Sequence, residues 1–234
     1  MPQSDRDDRE DATDVARVEQ RRQQMVERQL KDRGIDDPRV LHAMSQVPRE
    51  EFVHPDLKNS AYDDCPLPIG HGQTISQPFT VAFMCQALRL KDSDKILEIG
   101  TGSGYAAAVL SRVCKEVFTV ERIPPLADEA KQRLERLGFR NVHVRTANGT
   151  LGWPEEAPFD GIVVTAASAG LPEVYLQQIG EGGQIVIPLG ARGFDQSLFH
   201  FMRREGELIV DDLGGFVFVP LIGKYGWKDS EAHA

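Results

Sequence analysis

EIGTGSGY (98–105) sets three glycines, Gly100, Gly102 and Gly104, at alternate positions between an apolar run and the start of a helical pattern. In that context glycine lets the main chain turn tightly and lets a ligand approach the backbone closely. Ser103 falls inside the same loop. Gly102, Gly104 and Ala107 formally satisfy the dinucleotide fingerprint, and Glu121 follows Gly102 by 121 − 102 = 19 residues, so a nicotinamide enzyme competes. Glu98 argues against it. A carboxylate two residues before the first glycine repels a pyrophosphate but offsets the charge of a sulfonium cofactor carrying an amino group. The histidines (42, 54, 71, 143, 200 and 233) are scattered and offer no hydride-transfer relay.

An acid, the spaced glycines and a second acid ending the next strand resemble the S-adenosylmethionine-dependent methyltransferases. The resemblance gives Glu121 to the ribose hydroxyls, through its two carboxylate oxygens. Asn148 and Gly149, after a third apolar run, fall where an amide would meet the adenine edge. An Asn-Gly pair also forms turns unaided.

These residues need a frame to hold them. KILEIG (95–100), EVFTVE (116–121), NVHVRTA (141–147), DGIVVTAA (160–167) and GQIVIPLG (183–190) are short apolar runs alternating with helical patterns. That rhythm predicts an α/β fold, Rossmann-like, with a mostly parallel sheet and crossover helices. SLFHFMRREGELIVDDL predicts an antiparallel hairpin at the sheet edge, joined at Arg204-Glu205-Gly206. Upstream, helices over 18–33 and after Asp37-Pro38 form an N-terminal helical extension, ended by Gly34 and Pro48. Residues 55–78 hold Pro55, Pro66, Pro68, Pro78, Gly70 and Gly72 and read as loop, leading into a buried helix over 79–90. Residues 1 to about 18 are charged, with hardly any large apolar side chain, and read as a disordered acidic tail. The organisation is therefore tail (1–18), helices and substrate loop (19–91) and methyltransferase domain (92–228).

Beyond the glycine loop, the chain resembles the protein-L-isoaspartate O-methyltransferases. The matching stretches include RVLHAMSQVPREEFV (39–53), PLPIGHGQTISQP (66–78), LEIGTGSGY (97–105), GTLGW (149–153), APFDGIVVTAA (157–167) and FVPLIG (218–223). The resemblance implies methylation of the free α-carboxylate of L-isoaspartyl residues in damaged proteins or peptides. The ester then collapses to a succinimide that partly returns to aspartate. The family's catalytic serine, in T-I-S-x-P, falls on Ser76, and Gln77 falls where the family's loop reaches the cofactor. One departure stands out: the family usually reads G-D-G where this chain has Ala147-Asn148-Gly149.

The chemistry suits those residues. A carboxylate with a pKa near 4 is ionised at neutral pH, so transfer from a sulfonium requires no general base. A neutral donor such as the Ser76 hydroxyl can hold the acceptor without quenching it. Ser76 also stands where it could cap the following helix.

Composition narrows the rest. The 234 residues carry a net charge of −9, which argues against nucleic acid as a partner. Cys65, Cys85 and Cys114 have no metal-ligand spacing and read as reduced thiols, and no metal is expected. No apolar leader or membrane-length run is visible, so a cytoplasmic protein is expected. Two rivals remain: a methyltransferase of this fold with a different carboxylate acceptor, and a non-catalytic cofactor- or protein-binding relative.

Overall fold

The computed structural model describes residues 16–191 and 196–228. The tail expected over 1–15 lies outside the described residues. Residues 16–18, grouped with that tail in the sequence reading, are already helical, and Val18 packs against the core.

The first helix, α1, runs from residue 16 and loosens into a π turn at Met25–Leu30 and a 3-10 turn at Lys31–Arg33. The wider turn keeps Met25, Val26 and Leu30 all buried, and Gly34 ends it with φ of 91°. Helix α2 (Pro38–Gln46) starts as its sequence demands. The Asp37 carboxylate accepts from the Arg39 and Val40 amides, and Pro38 occupies the first turn. Such a cap contributes about 1 kcal/mol.

The segment read as loop is more ordered than its prolines imply. Residues Pro55–Ser60 form a 3-10 turn, and strands β1 (Leu67–Gly70) and β2 (Gln73–Ile75) pair antiparallel. The prolines fit because Pro68 sits on a two-stranded ribbon with no third strand to bond. Gly70, His71 and Gly72 all take positive φ and close the turn. Helix α3 (Pro78–Ala87) follows.

The main sheet then builds in chain order: β3 (Lys95–Ile99), α4 (Tyr105–Leu110), β4 (Glu116–Glu121), α5 (Pro124–Arg136), β5 (Val142–Thr146), β6 (Phe159–Val164), α6 (Glu173–Leu176), β7 (Ile179–Gly190), β8 (Gln196–Arg204) and β9 (Glu207–Gly215). Its seven strands lie in the order β5-β4-β3-β6-β7-β8-β9, parallel through β7 and antiparallel for the edge hairpin. Alternate residues of the central strands go to opposite faces. Ile96, Val117, Val163 and Val186 face the core shared with α1–α4, while Leu97, Val120, Ile162 and Ile187 join a second core with Tyr175 and Phe159.

The chain leaves β3 toward β4 and β5, then returns to place β6 on the other side of β3. Ligands of open α/β sheets bind beyond the carboxyl ends of the strands at such a reversal.

Candidate active site

A cavity of about 320 Å³ opens at that reversal, enough for a nucleoside-sized ligand. Its walls include the glycine loop, the β1–β2 hairpin from His71 to Ser76, the end of β4 with residues 120–123, Thr165 and Ala166 after β6, and the segment Val219–Ile222.

The glycines hold the loop for different reasons. Gly100 has φ of 101°, and a Cβ there would lie 2.3 Å from the Thr165 Oγ1, which itself bonds the carbonyls of Ile99 and Gly100. Gly104 (φ 88°) lets α5 approach, since its Cβ would stand 3.2 Å from Leu134 Cδ1. Gly102 (φ 52°) lies beneath the hairpin, 3.2 Å separating its would-be Cβ from Ile69 Cδ1. The hairpin therefore roofs the glycine loop.

Glu121, buried at the end of β4, is clamped by backbone. Its Oε2 accepts from the Gly102 amide and its Oε1 from the Ile123 amide, each at 2.9 Å. Each oxygen keeps one lone pair for a ligand hydroxyl.

Glu98 does not reach the cavity wall. It projects to the opposite face from Leu97 and Ile99 and is fully buried behind the loop. Its Oε2 accepts from Thr119 Oγ1 at 2.5 Å, and Thr119 in turn pairs with Thr101 Oγ1 at 2.7 Å. Its Oε1 has no hydrogen-bond partner. Burial pushes the Glu98 carboxyl up to about 8, with Glu121 adding to the rise and the Thr119 bond opposing it. Glu98 is thus linked to the glycine loop through Thr119 and Thr101.

Of the residues singled out in the sequence, Ser76, Gly100, Gly102, Ser103, Glu121 and Gly149 line the cavity. Gly104 shapes the loop without lining it. Gln77 turns away: its Nε2 donates to the Asp64 carbonyl at 3.2 Å. Asn148 caps the turn that follows it. Its Oδ1 accepts from both the amide (3.1 Å) and the hydroxyl (2.8 Å) of Thr150, capping the 3-10 turn Gly149–Leu151. That oxygen is committed to its own turn, which leaves the amide nitrogen as the group Asn148 can offer a ligand.

Ser76 is not a helix cap. The N-cap of α3 is Gln77, without a side-chain cap bond. Among the described residues the Ser76 hydroxyl has no hydrogen bond, while its carbonyl accepts from Arg49 at 2.8 Å. His71 lies exposed at the hairpin turn.

Val219–Ile222 lies in FVPLIG, marked in the sequence only as a stretch matching the family. It reaches the cavity because Ala167 pins it on both sides, donating to Val219 at 2.8 Å and accepting from Leu221 at 2.7 Å. Nothing local in FVFVPLIG signals this bridge, which joins positions more than fifty residues apart. Among the described residues there is no metal-binding cluster, and no helix is long and apolar enough to cross a membrane. The cysteines are free thiols, and burial pushes that of Cys114 up to about 12.

Fold and site together define a Rossmann-like methyltransferase: a glycine loop at the sheet's reversal, an acid ending the adjacent strand and a hairpin closing over both. Structural neighbours agree. One solved protein-L-isoaspartate O-methyltransferase superposes with a TM-score of 0.78 at 31% identity, over 88% of this chain and 67% of its own. Another, from Plasmodium falciparum and solved with S-adenosyl-L-homocysteine, gives 0.74 at 28% identity, over 86% and 98%. The family model for protein-L-isoaspartate (D-aspartate) O-methyltransferase matches residues 20–226. Among curated relatives, protein-L-isoaspartate O-methyltransferase 2 of Pelobacter propionicus is 56% identical over 89% of this chain and 93% of its own. The namesake in Marinobacter nauticus is 51% identical over 94% and 98%. The chain belongs to the protein-L-isoaspartate (D-aspartate) O-methyltransferase family.

Proposed function

We propose that this protein transfers a methyl group from S-adenosyl-L-methionine to the free α-carboxylate of L-isoaspartyl residues in damaged proteins and peptides, a repair reaction. The observation that carries this reading is the hairpin: it sets Ser76 on the same cavity wall as the glycine loop and Glu121.

The cavity fits the cofactor on its own evidence. Glycines keep the loop's inner face open, and the backbone-clamped Glu121 presents lone pairs to a diol. Behind the loop, the orphan Glu98 Oε1 marks a buried acid whose negative form is favoured by a nearby cation. When bound, S-adenosyl-L-methionine supplies an electrophilic methyl on a sulfonium.

The chain's own residues position and exclude water. The Ser76 hydroxyl donates to one oxygen of the acceptor carboxylate, leaving the other as nucleophile. No base is required, because the acceptor is ionised at neutral pH. Tyr105, on the wall, is neutral, and burial pushes its phenol further up to about 12. Ile75 and Val219–Ile222 make the apolar sides that exclude solvent. The cytoplasm expected from the sequence is compatible with this role.

Mass spectrometry of an isoaspartyl peptide incubated with enzyme and S-adenosyl-L-methionine tests the reading. A base-labile gain of one methylene, decaying through the succinimide, supports it. A stable methyl adduct, or none, contradicts it.

A further inference from the structure

Arg49 is the largest of the fully buried side chains, yet the sequence marks it only as part of a motif. It opens the 3-10 turn Arg49–Phe52 after α2. Its Nε donates to the Ala61 carbonyl at 2.7 Å, and its Nη2 to the Ser76 carbonyl at 2.8 Å. The guanidinium lies over the Tyr105 ring, 4.7 Å from its centroid. Its Nη1 has no hydrogen-bond partner.

Among the described residues no carboxylate is ion-paired with this cation. The neighbouring Glu50 is engaged elsewhere, by Arg22 and by the Tyr62 hydroxyl. Burying an arginine without a counter-charge is costly, and a hydrophobic side chain of similar volume would avoid the cost. Two of the three groups it touches, Ser76 and Tyr105, line the cavity. Ala61 leads into the hairpin, Ser76 ends it, and Tyr105 begins α4 directly after the glycine loop and lines the cavity.

We propose that Arg49 is a positioning residue: it rivets the Ser76 backbone to the glycine-loop helix, aims the Ser76 hydroxyl at the acceptor, and sets a fixed positive charge behind the acceptor's carboxylate. It does not line the cavity, so it acts through Ser76 and through its field. The planar fork suits two carbonyls and a ring face at once, which a lysine ammonium cannot do. This inference rests on the isoaspartyl reading above.

The test uses Arg49→Lys, Arg49→Met, Ser76→Ala and the double variants, with S-adenosyl-L-homocysteine affinity by calorimetry and kinetics on an isoaspartyl peptide. Arg49→Lys is expected to fold, to keep ligand affinity within about threefold, and to lose about 30-fold in kcat, the scale of a lost charge-assisted hydrogen bond. Adding Ser76→Ala should cost little more, because both changes disable one unit. Arg49→Met, which also removes the charge, should raise peptide KM about tenfold above the Arg49→Lys value. Multiplicative effects in the Arg49→Lys/Ser76→Ala double variant, unchanged kcat, ligand affinity falling in step with kcat, or failure of both Arg49 variants to fold would each overturn the proposal. Equal peptide KM in the two Arg49 variants would remove the charge from it. Wild-type enzyme inactive on the isoaspartyl peptide would instead refute the reading beneath.

Discussion

The Glu121 carboxylate accepts the Gly102 amide at 2.9 Å, tying the end of β4 to the middle of the glycine loop. The bond fixes two parts of the cavity wall relative to each other. Both Glu121 oxygens already accept a backbone N–H, so Glu121→Gln would aim an amide NH₂ at the Gly102 or the Ile123 amide. Leaving such a donor unpaired costs about 2 kcal/mol, or about 30-fold. Calorimetric titration with S-adenosyl-L-homocysteine should show that loss, and wild-type affinity in the variant would mean the clamp is not part of the ligand site.

Gly100→Ala tests the loop's backbone. The positive φ penalises any side chain, and the new Cβ would collide with Thr165 Oγ1. The two effects together are expected to cost about 3 kcal/mol, a fall in melting temperature of about 10 °C in a chain of this size. Gly138→Ala serves as comparison, since its φ is 79° but nothing lies within 4 Å of its Cβ. It should lose only about 1–2 kcal/mol and keep cofactor binding. Equal losses at the two positions would leave the Thr165 contact without consequence.

Glu98 makes stability depend on pH. Its folded pKa, about 8, lies above the ordinary carboxylate value of 4.5. Below 4.5 both states hold the proton and no penalty exists. Between the two values only the folded state holds it, so stability falls as pH rises, and above about 8 the full penalty persists. Glu98→Gln removes this slope. Thermal melts from pH 5 to pH 9 should show the variant gaining on wild type as pH rises, and parallel curves would exclude a protonated Glu98.

Ser76→Ala removes one donor from the cavity wall. The expected result is a fall in kcat of about 30-fold on an isoaspartyl peptide, with cofactor affinity nearly unchanged. Steady-state kinetics beside calorimetry separates the two, and equal loss of both would make Ser76 structural.

Much of this was readable in advance because the signals are local. Five apolar runs gave five parallel strands, and Glu205-Gly206 gave the edge turn. Glu121 and the glycines could be picked out by motif and spacing, and Ser76 by the family resemblance. What escaped depends on partners distant in sequence. The prolines of 55–78 hid a hairpin, whose pairing spends few backbone bonds and tolerates them at its edges. The bonds from Thr150 to the Asn148 oxygen were not foreseen either. Glu98 sat in the right motif, but strand alternation turned it from the cavity. Arg49 shows nothing in sequence of its bond to Ser76, 27 residues on.

The most direct measurement compares one peptide made in two forms, with L-isoaspartyl or normal L-aspartyl at the same position, and reads kcat/KM for methyl transfer from S-adenosyl-L-methionine. The account predicts transfer to the isoaspartyl form and essentially none to its normal twin. Equal transfer to both, or none to the isoaspartyl peptide, would contradict it.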